Sequence, residues 1–270
     1  MINGKLWIDS FHIFHKKIIQ TEVSSLSRKR KGTMIDKEIN SKYLGEAMQL
    51  KIYQPESFSP LEKYHICIMQ DGDDYYQMGR LATVSDELHE NFEIESTIFV
   101  GIHYEDRFDR RKKYHPSGEQ NEAYIKFLAH EVVSLIDEFL PSLHMGQTRT
   151  LMGDSLAGTL ALMTAWKYPN TFGNVIMQSP LVDEKVLRTV ESFTKAHEAL
   201  NIYHTIGTKE TNVRVTDGSV VDFITPNRQL YEVLNKKNLT YYYKEIEDGQ
   251  HTWKYWQQGL PHALRTMFQP

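Results

Sequence analysis

A single cysteine, Cys67, stands in 270 residues. No internal disulfide framework can therefore hold the chain together, and a reducing compartment, the cytoplasm, is expected. Cys67 lies in the apolar run YHICIM, which reads as a buried strand and not as a site of thiol chemistry. No stretch reaches the roughly 18 consecutive apolar residues that a membrane helix needs. There is no internal repeat, no low-complexity tract and no long Pro/Gly/Ser linker. Positive charge is scarce too: 31 Lys and Arg face 35 Asp and Glu, a net charge of −4. It is unevenly spread: residues 1–33 hold seven Lys and Arg against two acids, which leaves −9 on the remainder. That balance argues against a general nucleic-acid surface.

What is present is a domain of ordinary globular composition, 40% hydrophobic and 24% charged. Residues 1–33 lack the apolar core and small-residue cleavage site of a secretory signal. SRKRK at 27–31 could mark an anionic partner, but a solvated, disordered extension is the expectation, with the domain proper spanning 34–270. Short apolar runs predict strands at 47–55, 64–70, 97–104, 149–153, 174–179, 201–207 and 239–246. Amphipathic stretches predict helices at 121–140, 155–168, 227–237 and 252–268, with Pro261 kinking or restarting the last. Strand and helix in alternation predict an α/β fold, a mostly parallel central sheet with helices on both faces.

The chemistry gathers around LMGDSLAG at 151–158. A predicted strand runs into a predicted helix with only Gly153 and Asp154 between them and Ser155 at the junction. This is the G-x-S-x-G nucleophile elbow, with Ala157 where a second glycine usually stands. Such a turn lifts the hydroxyl clear of the sheet and aims the amide of Leu156, at the positive end of a helix, toward a carbonyl under attack. The string also spells G-D-S-L, the name of an unrelated hydrolase family, and DGQH at 248–251 even has that family's D-x-x-H spacing. Placement decides against it: that family carries its serine after the first strand, and at least three strands precede Ser155.

A serine needs a base. His251, in a turn after the last strand, fits the chain order serine, acid, histidine; His197, His204 and His262 lie in elements that suit it less. The acid that orients the imidazole should follow the preceding strand. Glu210 is closest to that strand end, with Asp217 and Asp222 further along the same loop. A second oxyanion donor is expected from the turn after an early strand, the amide of Asp73 in QDGDD. DGDD lacks the ligand set of a calcium loop, and HEVVS at 130–134 lacks the second histidine of a zinc protease. No metal or cofactor is called for.

Residues 45–268 resemble the putative-esterase family of α/β-hydrolases, which includes esterase D (S-formylglutathione hydrolase), siderophore esterases, feruloyl esterases and mycolyltransferases. The resemblance rests on IMQDGDDYY, TIFVGIHYEDRFDRRKKYHP, LMGDSLAGTLALMTAWKYPNTFGNVIMQSP, IGTKE and DGQHTWKYWQQGLPHAL. It implies the α/β-hydrolase fold, with Ser155 matching the nucleophile, His251 the base and Glu210 the acid. Asp73 and Leu156 match the oxyanion amides. A serine carboxylesterase acting on small acyl esters or siderophore-type esters is expected, with a thioesterase or a catalytically silent binding protein as the contrasting readings. The charged segment 105–120 is expected either to recognise an anionic acyl or iron-chelate group or to satisfy itself through internal ion pairs.

Overall fold

The computed structural model describes residues 29–215 and 218–270, and Gly32–Pro270 forms one compact unit. Eight strands make a mixed sheet: β1 (Thr33–Ser41), β2 (Glu46–Gln54), β3 (His65–Gln70), β4 (Thr97–Ile102), β5 (Arg149–Asp154), β6 (Asn174–Gln178), β7 (Asn201–Gly207) and β10 (Thr240–Ile246). Their order across the sheet is β1-β2-β4-β3-β5-β6-β7-β10. β1 and β2 are antiparallel to their neighbours, whereas every pair from β4 to β10 is parallel. A two-residue hairpin, β8 (Val213–Arg214) and β9 (Val220–Val221), stands apart.

The central strands read as continuous apolar runs because both faces are covered. Along β3, Ile66 and Ile68 enter one core while Cys67 and Met69 enter the other. The first core is closed by α4 (Asn121–Lys126), a π-helical turn (Phe127–Val132), α5 (Val133–Phe139), α6 (Ser155–Lys167) and α7 (Glu184–Glu191), and α8 (Ile224–Leu234) adds Leu230 and Leu234. The second is closed by α1 (Gly72–Gln77), α2 (Leu81–Glu90) and α9 (Trp253–Met267). α3 (Arg107–Tyr114) follows β4 at the strands' carboxyl ends.

Several elements differ from the sequence expectations. β1 is an edge strand whose outward residues include Asp36 and Glu38, so it offers no apolar run to detect. α8 starts at Ile224, ahead of Pro226, because proline fits the first turn of a helix, where its missing N–H would have no partner. α9 runs through Pro261 as one helix. Asp217 and the basic extension up to residue 28 lie outside the described residues. β1 itself opens at Thr33, with the Gly32 amide donating to the Tyr53 hydroxyl at 2.9 Å.

Candidate active site

β5 ends at Asp154 and α6 begins at Ser155, whose φ of 51° is in the left-handed region. A non-glycine residue there carries strain that the surrounding packing must hold. Gly153 makes the turn possible: a Cβ at this position would lie 2.3 Å from the carbonyl carbon of Ala157. Ala157 is itself fully buried, so its methyl is accommodated where the motif usually has glycine.

The next parallel strands deliver the partners at the same end of the sheet. Glu210 follows β7 and is 1% exposed. His251 follows β10, and the two turns are joined where the Lys209 amide donates to the Gly249 carbonyl at 2.9 Å. Gly207 allows this contact, since a Cβ there would come within 2.4 Å of Gly249. His251 Nε2 lies 2.9 Å from Ser155 Oγ, and its Nδ1 lies 2.6 Å from Glu210 Oε2. A carboxylate only accepts, so Nδ1 carries the proton and donates it to Glu210. Nε2 is then left to accept from the serine hydroxyl, the tautomer a base needs.

The acid and the imidazole are both held by groups the sequence reading did not single out. Glu210 Oε1 accepts from the Gly207 amide at 2.8 Å and from Ser179 Oγ at 2.7 Å. Ser179 Oγ accepts in turn from Trp256 Nε1 at 3.0 Å. Ser179 has a φ of 50° just past β6. The His251 ring is wedged between Phe223 and Trp256, with centroids 4.4 and 4.9 Å away. Only the QSP string, part of the family resemblance, pointed toward Ser179.

The remaining candidates have other partners. Asp222 accepts from the Thr225 amide at 3.3 Å near the start of α8. His197 bonds to Thr194 and to the Trp166 carbonyl. His262 faces the Tyr203 hydroxyl at 3.1 Å. His204 is fully buried. Asn227 spends its amide N–H groups on the Pro180 and Phe223 carbonyls, so its Oδ1 accepts from His204 Nε2 at 2.7 Å, and Nδ1 accepts from the Tyr241 hydroxyl at 2.8 Å.

Burial lowers the pKa of His204 to about 4, against a small upward pull from Asn227. The unfolded chain takes up this proton near pH 6.5. The neutral ring's contribution is therefore complete above that pH and is lost as pH falls toward 4, on the order of 3 kcal/mol in full. Urea titrations at pH 7 and pH 4.5 should show a smaller loss of stability in His204→Gln than in wild type. An equal loss would remove His204 from the acid response.

Asp73 and Leu156 lie in the first turns of α1 and α6, where helix amides have no partner in their own helix. Their strands, β3 and β5, are direct neighbours, with Met69 opposite Met152. The Asp73 carboxylate pairs with Lys51 Nζ at 2.6 Å. A cleft of about 540 Å³ meets the site at Asp73, lined also by Lys51, Gly101, His103, Tyr104 and Lys113. Ser155 and His251 do not line it.

The charged segment 105–120 contains the helix Arg107–Tyr114, whose buried residues are Lys113 and Tyr114. Lys113, 3% exposed at its side chain, pairs with Glu46 at 2.6 Å and Asp109 at 2.8 Å. Arg110 pairs with Asp71. Within the segment Lys113 pairs with Asp109 and Lys112 with Glu119, whereas Glu46 and Asp71 lie outside it. Between Arg110 and the nucleophile turn lies Asp154, whose carboxyl is pushed well above the ordinary aspartate range by burial and then by the charge of Asp71, with Arg110 pulling the other way. Among the described residues, no three His, Cys, Asp or Glu side chains are grouped to hold a metal ion. None of the described helices is long and apolar enough to cross a membrane.

The chain is 48% identical over 238 residues to the uncharacterized protein YjcH of Bacillus subtilis (strain 168), covering 88% of this chain and 98% of that one. Among solved structures, a ferulic acid esterase superposes with a TM-score of 0.74 at 16% identity, over 88% of this chain and 98% of its own. The enterobactin esterase FES from Shigella flexneri, in the presence of enterobactin, gives 0.77 at 19% identity over 90% of this chain, which spans only 60% of that longer protein. The BES protein from Bacillus cereus gives 0.71 at 19% identity, over 90% and 98% of the two chains. At these identities the structural matches establish the α/β-hydrolase fold. The sequence profile of the family described as putative esterase matches residues 41–267, and the chain belongs to that family.

Proposed function

We propose that this chain is a cytoplasmic serine carboxylesterase, with residues 34–270 as its catalytic domain and small acyl esters or siderophore-type esters as its substrate class. The observation that carries the reading is the relay of Ser155, His251 and Glu210, with contacts of 2.9 and 2.6 Å and the imidazole tautomer imposed by the carboxylate. Ser155 Oγ attacks the ester carbonyl while His251 Nε2 takes its proton. The carbonyl oxygen becomes an oxyanion, received by the amides of Leu156 and Asp73. As the tetrahedral intermediate collapses, the bond to the alcohol breaks and His251 returns the proton to the leaving oxygen. Water then attacks the acyl-enzyme with His251 again as base, releasing the carboxylic acid and restoring the serine. The Glu210 carboxylate holds the ring through Nδ1 and stabilises the imidazolium. None of these steps uses a cofactor. The cytoplasmic part of the reading is supported by the lone, buried Cys67, since a chain that forms no internal disulfide fits a reducing compartment.

The test is turnover of p-nitrophenyl acetate, followed by a panel of acyl chain lengths, an acyl thioester and ferric siderophore esters. Hydrolysis by wild type and its loss in Ser155→Ala supports the esterase. A folded wild-type protein that hydrolyses none of them and is not labelled by a fluorophosphonate probe favours the binding-protein reading, and the esterase reading fails.

A further inference from the structure

Arg110, on α3, is outside the relay, yet it touches both turns that would bind the oxyanion. Its Nε lies 2.9 and 3.0 Å from the two carboxylate oxygens of Asp71, and its Nη2 lies 2.5 Å from Oδ2. The same Nη2 reaches the backbone carbonyl of Asp154 at 3.5 Å. The guanidinium is flanked by the rings of Tyr104 and Tyr114, at 5.7 and 5.6 Å. The side chains of Arg110 and Asp71 are only 14% and 3% exposed.

The two residues it holds matter more than the ion pair itself. Asp71 has a φ of 56° and directly precedes Gly72 and Asp73; Asp154 directly precedes Ser155, with its φ of 51°. Two strained turns on neighbouring strands thus share one guanidinium. A buried ion pair is a weak source of stability, because desolvation offsets most of its attraction. The planar fork of an arginine, however, fixes geometry in a way that an ammonium on a flexible stem does not.

We propose that Arg110 is a positioning residue for ester hydrolysis: by clamping Asp71 and the Asp154 carbonyl, it sets the spacing between the Asp73 and Leu156 amides that receive the oxyanion. This rests on the esterase reading above. The amides are used most strongly once negative charge has developed on the carbonyl oxygen, so loss of their spacing weakens the transition state more than the bound ester. The signature is a fall in kcat with KM unchanged.

The experiment compares wild type, Arg110→Lys and the double variant Arg110→Gln with Asp71→Asn. The lysine variant keeps the charge, and the double variant removes both charges of the pair together, so that Asp71 is not left as a buried carboxylate without its arginine. Folding is checked by circular dichroism, and kcat and KM are measured on a neutral and an anionic acyl ester. Both variants should lose about 10- to 100-fold in kcat, as expected for reacting groups displaced by a fraction of an ångström to an ångström, with KM within about twofold for both esters. A kcat within threefold of wild type in a folded variant overturns the proposal. So does a rise in KM confined to the anionic ester, which would make Arg110 a substrate contact. A wild-type enzyme that turns over neither ester fails at the esterase reading itself, before Arg110 is reached.

Discussion

Ser155→Ala is expected to lower kcat for p-nitrophenyl acetate by about 10⁴- to 10⁶-fold, His251→Ala by a similar factor, and the double variant scarcely further. The reason is that the two side chains form one nucleophile. A serine hydroxyl at neutral pH holds its proton firmly, and the 2.9 Å contact to His251 Nε2 is the route by which that proton leaves as the carbon–oxygen bond forms. Removing either partner removes the same step, so the losses do not add. The residual rate should still exceed that in water, because the Leu156 and Asp73 amides and the rest of the site remain. Steady-state kinetics on the three variants, with folding checked in parallel, measures this. Additive losses would mean that Ser155 and His251 act in separate steps. A His251→Ala enzyme keeping a tenth of its activity would require another base.

Glu210→Gln is expected to cost about 10³- to 10⁴-fold in kcat, although the side chain is nearly isosteric. The carboxylate offers only acceptors, and this keeps the imidazole proton on Nδ1. A glutamine can present its NH₂ group instead, in which case Nδ1 must accept, the proton moves to Nε2, and Ser155 faces a donor where it needs a base. Oε1 is already engaged by the Gly207 amide and Ser179 Oγ. In the variant, those two donors hold the side-chain amide oxygen on their side and direct the NH₂ group toward His251. Asp222→Asn is the comparison. Asp222 accepts from the Thr225 amide, an acceptor role that asparagine can keep, so kcat should stay within about threefold. The same kinetic assay separates the two acids. A large loss in Asp222→Asn with an active Glu210→Gln would transfer the acid to Asp222.

How legible these features were depended on whether local sequence carries them. The buried parallel strands announce themselves because each is covered on both faces. Ser155 and His251 are legible because chain order and strand ends restrict where such residues can sit. Glu210 required a choice among three acids in one loop, made on distance from β7 and on the family resemblance. Its partner Ser179, 31 residues away along the chain, and Trp256, which donates to Ser179, were out of reach, because only the folded sheet brings them together at the acid. The same holds for Arg110. In sequence it is one of five basic residues in a charged run, with nothing to separate a buried clamp from a solvated side chain. Its meaning comes from Asp71, 39 residues earlier. β1 went unseen because an edge strand with alternating charges has no apolar run; α1 is only six residues long, and in α2 the polar Ser85 and Asp86 take two of the five buried positions. Beyond the π-helical turn between α4 and α5 the buried position is Ile136, while Phe139 is 41% exposed.

The covalent step can be tested directly by rapidly quenching the wild-type enzyme in acid during p-nitrophenyl acetate turnover and mapping the acylated peptide by mass spectrometry. A single acetyl group on Ser155, absent when His251 is replaced by alanine, is the predicted result. Turnover with the acetyl group on another residue, or sustained turnover with Ser155 never modified under conditions that trap acyl-enzymes, would contradict it.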